Sequence, residues 1–180
     1  MDALIKLSRI IDWLTTRVGY LASFAMLAAC TISCLNAFSR YAFSRSSNFW
    51  LEIQWYLFGA MFMLAAAYVL KLNEHVRVDL IYGMLSPRRR VWVDIFGTLL
   101  FLIPACIMIG WLTFGMFWSS YVGNEDSANS PGLRLWPALL MFPLGFALLG
   151  LQAISELIKR ADAMRSGQIG LDANYQRPVQ

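Results

Sequence analysis

Four stretches of this chain, residues 18–38, 53–70, 95–118 and 135–155, contain no Asp, Glu, Lys or Arg. As helices they match the roughly 17–25 residues needed to cross about 30 Å of hydrocarbon. In lipid the backbone must satisfy its own hydrogen bonds, and a helix does so within one segment. Length decides this assignment, because lipid and protein interior are similarly apolar and periodicity marks the inner faces poorly. The expected fold class is an all-α integral membrane protein with four transmembrane helices plus interfacial amphipathic helices.

Composition agrees. The 180 residues are 58% hydrophobic and 14% charged, against about a quarter charged in a soluble domain. The formal charge of +4 does not point to nucleic acid, because the basic residues fall between apolar runs rather than on one polar face. Cys30, Cys34 and Cys106 lie inside the runs, where a thiol behaves as a small hydrophobe. A single histidine excludes a bis-histidine haem within one chain. There is no Gly-rich phosphate loop, no Ser/His/Asp set on one side of the membrane and no His–Glu metal motif. The chain is expected to be no enzyme, with no catalytic residues, no metal and no cofactor.

Twelve of the fifteen basic residues lie in the N-terminal segment, the 71–94 loop and the C-terminal tail. The other two loops carry only Arg40, Arg45 and Arg134. The excess of Lys and Arg marks the cytoplasmic side, so both termini are expected there. The first apolar run exceeds a usual signal-peptide core, so it is expected to remain as a span.

Residues 1–17 place Leu4, Leu7, Ile11 and Leu14 at helical spacing among basic residues. This predicts an N-terminal interfacial amphipathic helix; the alternative is a plain extension of the first span. The four-span domain covers 18–158, with an interfacial cytoplasmic segment at 71–90 and a polar tail at 159–180. Trp13, Trp50, Trp136 and the run Arg88, Arg89, Arg90 are expected membrane-interface anchors. Glu52, heading the second span, is expected to favour the positive end of that helix's dipole. Ser86 and Pro87 suit a helix cap and first turn, and Asp94 reads as an interfacial carboxylate. Pro104 and Pro143 predict kinks, and Pro131–Gly132 fits a type II turn.

Four motifs in order, "NAFSRYAF" (36–43), "WLEIQWYLFGAMFMLAAAY" (50–68), "EHVRVDLIYGMLSPRRR" (74–90) and "LWPALLMFPLGFALLGLQ" (135–152), resemble the small, DctQ-type membrane subunit of tripartite ATP-independent periplasmic (TRAP) transporters. The likeness runs over roughly residues 5–160. It implies a scaffold in the bacterial inner membrane. This would hold a large multi-span transport subunit and help dock a periplasmic substrate-binding protein during cation-coupled, sodium-type uptake of an organic acid. It also implies interface or structural roles for Asn36, Arg40, Tyr41, Glu52, Gly59, His75, Arg77, Asp79 and Pro143. Only a short tail follows the fourth span, so the large subunit is expected on a separate chain. Membrane lipid is the remaining expected partner, and the substrate is not encoded here.

Two other readings remain open from the residues. An independent four-helix carrier or channel needs polar pore-lining groups, and these spans hold only Asn36, Gln54, Gln152 and hydroxyls. A cofactor-binding membrane subunit needs ligands that are scarcer still. The charged cluster Glu74, His75, Arg77 and Asp79 then reads as a structural staple on the cytoplasmic side rather than a catalytic centre.

Overall fold

The computed structural model describes residues 2–45, 47–74, 84–129 and 132–166. Four long helices carry the fold: α1 (Asp2–Phe43), α2 (Asn48–Leu72), α3 (Pro87–Gly123) and α4 (Trp136–Ser166). Each is long and apolar enough to cross a membrane. Among the described residues there is no strand, only one isolated antiparallel bridge between Asp126 and Arg134. His75, Arg77, Asp79 and Pro131 lie outside the described residues.

Helix α1 runs 42 residues without a break. At 1.5 Å per residue that is about 63 Å, twice a hydrocarbon core. Its opening turns carry a face unlike the one the leucines suggest. Ser8, Ile11 and Thr15 are buried, while Leu4, Leu7 and Leu14 are 46%, 45% and 37% exposed. The polar stripe turns inward and the leucines outward.

Helix α4 is the hub, packing on α1, α2 and α3, while α1 and α2 pair directly. The interior is small and polar rather than greasy. Among the described residues, Ile11, Ala22, Ala67, Cys106 and Ala153 are the buried hydrophobics, and the largest fully buried side chains are Gln152, Thr15, Ser120 and Ser155. This inversion suits a membrane. Lipid is as apolar as leucine, so helices associate through close packing and hydrogen bonds rather than by hiding hydrocarbon.

Gly145 marks the closest approach of α4 to α2. A Cβ there would stand 2.8 Å from the Met63 carbonyl oxygen and 2.8 Å from its Cβ. Backbone cannot swing aside as a side-chain tip can. Gly145→Ala is therefore expected to push the helices apart at a cost of roughly 1–3 kcal/mol. Thermal unfolding in detergent measures it, and an unchanged midpoint would refute the packing argument.

Local chemistry sets the helix ends. Helix α2 stops at Asn73, whose φ of 60° is left-handed, and α3 is followed by Asn124 at 49°, a region Asn tolerates well. Pro87 occupies the opening turn of α3, as its fixed φ favours, but Ser86 makes no side-chain cap bond. Pro104 acts one turn earlier than a simple kink would. Residues Thr98–Leu102 form a π-helical turn, with the Ile103 amide bonded to the Thr98 carbonyl. Proline has no N–H for the carbonyl four residues back, and the ladder widens just before it. Pro143 sits inside a helix that continues through it.

Candidate functional site

Two polar seams occupy opposite ends of the bundle. The first lies at the end bearing the N-terminus of α1 and the C-terminus of α4. Ser8, Asp12 and Thr15 recur at helical spacing on one face of α1. They meet Gln152, Ser155 and Lys159, spaced likewise on α4. The Thr15 hydroxyl donates to Gln152 Oε1 at 2.8 Å, and Gln152 Nε2 donates to Asp12 Oδ1 at 2.9 Å. The Ser155 hydroxyl reaches Asp12 Oδ1 at 2.9 Å and lies 2.7 Å from Ser8 Oγ. Lys159 pairs with Asp12 at 3.2 Å and also with Glu156.

Asp12 is thus the acceptor at the centre of the seam. It precedes the uncharged run of α1, at the level of charged groups on three other helices. Lys71, in the last turn of α2, donates to the Asp12 carbonyl at 3.2 Å and to the Thr16 hydroxyl. Asp94 of α3 pairs with Arg160 of α4 at 2.7 Å, both side chains under one-fifth exposed. Partial burial works to raise the Asp12 pKa. Hydrogen bonds from Gln152 and Ser155 and the Lys159 charge outweigh it and leave the carboxyl below its usual value.

The second seam closes the other end. Glu52, 4% exposed, accepts the Leu133 amide at 2.9 Å through Oε2 and the Ser127 hydroxyl through Oε1. These partners are 81 and 75 residues away in sequence. They belong to the α3–α4 loop, where the Ser127 amide donates to the Leu133 carbonyl at 2.8 Å and the Leu135 amide to the Glu125 carbonyl at 3.0 Å. Gly132 lets that loop fold tightly, because a Cβ would stand 2.3 Å from the Ser127 carbonyl oxygen. Arg134 donates to the Asn124 carbonyl at 2.6 Å and pairs with Asp126 at 3.4 Å. That ion pair is more than half exposed and contributes little by itself. The Tyr56 hydroxyl reaches the Arg134 carbonyl at 3.3 Å.

The dipole role expected of Glu52 needs correction. Helix α2 begins at Asn48 and has no acid in its first turn. The terminal field falls off within that turn, and the carboxylate is engaged by the loop instead. Asp94 is likewise more than an interfacial carboxylate, since it ties α3 to α4.

The remaining expected site residues are dispersed. Asn36 lines a groove between α1 and α2. Arg40 is exposed and Tyr41 is 94% exposed. Gly59 has open space where a Cβ would stand, and Pro143 lies about two turns into α4. Trp13 is 59% exposed with the Arg17 guanidinium 5.5 Å from its ring centre, and Trp50 is 47% exposed. Arg88 and Arg89 are exposed, whereas Arg90 turns back to the Leu85 carbonyl at 3.0 Å. Trp136 packs edge-on against Tyr121, ring centres 5.6 Å apart.

Four helices able to span a bilayer, tied at one end by helix–helix and at the other by helix–loop polar contacts, define a multi-pass, all-α membrane protein. A family model described as "Tripartite ATP-independent periplasmic transporters, DctQ component" matches residues 29–163, more than half of the chain, and the chain belongs to that family. No match is found among curated proteins or solved structures.

Proposed function

We propose that this chain is the static small subunit of its TRAP transporter. It would hold a separate large transport subunit in the inner membrane and help present it to a periplasmic binding protein. The observation that carries this reading is the use made of the interior polar groups. Asp12, Thr15, Gln152, Ser155 and Glu52 bond helix to helix or helix to loop. A carrier needs such groups free to meet an ion or substrate in turn. Here they brace one arrangement. By the charge bias of the loops, the Asp12 seam faces the cytoplasm and the Glu52 seam the periplasm. The resemblance adds sodium coupling and an organic acid as cargo.

The test is reconstitution. The full chain is expected to co-purify with a much larger multi-span subunit, and liposome uptake is expected to need both. His75→Ala and Asp79→Ala are expected to weaken that co-purification while leaving substrate capture by the binding protein intact. Full-rate uptake by the large subunit alone would overturn the proposal.

A further inference from the structure

A groove of about 370 Å³ opens between the C-terminal turns of α1 and the start of α2. Its chemistry is graded along the helix. Ile32 and Leu35 line the part deeper in the α1 span, Asn36 and Ser39 the next turn, and Arg45 of the connector the outer end. Trp50 supplies the α2 side. Arg45 is held there by its backbone: its amide donates to the Ser39 carbonyl at 3.5 Å, and the Ser39 hydroxyl donates to the Arg45 carbonyl at 3.2 Å. The intervening Ser44 takes a left-handed φ of 52°. Among the described residues no carboxylate forms an ion pair with Arg45 or the neighbouring Arg40.

We propose that this groove holds one anionic phospholipid, its phosphate at Arg45 and an acyl chain along Ile32 and Leu35. The sequence of chemistry along the groove is that along a lipid: charge, then hydrogen-bonding groups, then hydrocarbon. A guanidinium fits a phosphate through paired N–H donors, and tryptophan favours headgroup level. A volume of about 370 Å³ takes the headgroup and part of one acyl chain, the rest of the lipid lying in the bilayer beside the open groove. The alternative occupants fit less well. An apolar partner helix would cover Arg45 without supplying an anion, and covering an unpaired charge is costly. A second copy docked symmetrically would bring Arg40 and Arg45 toward their own counterparts. The inference stands independently of the scaffold role.

Native mass spectrometry of the full chain tests it, after exchange with vesicles of phosphatidylglycerol or phosphatidylcholine. The wild type is expected to retain one phosphatidylglycerol, in preference to phosphatidylcholine by about fivefold. Arg45→Gln is expected to abolish the preference, and Leu35→Trp to lower retention of both lipids. Brominated phosphatidylglycerol is expected to quench wild-type fluorescence more than that of Trp50→Phe. Equal retention of the two lipids by the wild type, or an unchanged preference in Arg45→Gln, would overturn the assignment. So would cross-linking of an Ile32→Cys variant, in a background lacking Cys30 and Cys34, to another protein chain in native membranes.

Discussion

Replacing Asp12 by alanine is expected to loosen the whole end of the bundle that carries the α1 N-terminus, at a cost of about 2–4 kcal/mol. The figure rests on hydrogen bonds to a charged acceptor, each contributing roughly 1.5–3 kcal/mol. Gln152 Nε2 and Ser155 Oγ both donate to this carboxylate. Lys159 adds less, being 38% exposed and therefore partly screened. Asp12→Asn retains one carbonyl acceptor and is expected to cost less than alanine. Unfolding in mixed detergent micelles measures both variants. Equal midpoints for wild type and Asp12→Ala would show that the seam is decoration rather than a brace. A double-mutant cycle with Gln152→Leu sharpens the test, since contacting residues couple by about 0.5–3 kcal/mol.

The second large effect is expected at the opposite end. Glu52→Ala removes the one acceptor shared by Ser127 and Leu133. The bundle is expected to persist while the α3–α4 loop opens. The Leu133 amide is expected to exchange with solvent about tenfold faster or more, as for a segment released to local opening. Glu52→Gln keeps a carbonyl oxygen and is expected to fall between. If the loop stays protected in Glu52→Ala, its own backbone bonds suffice, and the carboxylate has some other purpose. Because exposed Glu125, Asp126 and Arg134 ride on this loop, its order also sets the charge pattern at that end of the bundle.

The two seams differ in how far the sequence discloses them. The spans were plain, because absence of charge over some 20 residues has almost one physical meaning. The Asp12 seam was latent. Ser8, Asp12 and Thr15 share a helix face, as do Gln152, Ser155 and Lys159. A search for polar periodicity inside apolar helices finds both stripes, whereas a search for hydrophobic faces finds Leu4, Leu7, Ile11 and Leu14, of which only Ile11 is buried. Those leucines belong to the outer surface, since a bilayer reverses the usual sense of the pattern. The Glu52 seam was hidden more deeply. Its partners are a serine and a backbone amide in a turn-rich loop, and no local pattern marks a backbone donor. Pro104 shows a third kind of limit. The sequence predicts a disturbance there but not its form, because a ladder missing one donor can kink or widen into a π turn.

The hub position of α4 has a consequence for how the protein is made. Its partners on α1 lie 137 and 147 residues upstream. At about 5–20 residues per second of synthesis, the α1 stripe waits roughly 7–30 s before Gln152 and Ser155 emerge. During that interval the nascent chain displays a carboxylate and hydroxyls with no counterpart. A product stalled before its last helix therefore keeps a visible mark of incompleteness. Arrival of α4 supplies the counterparts, so the contacts that brace the finished bundle form only once the last helix has been made.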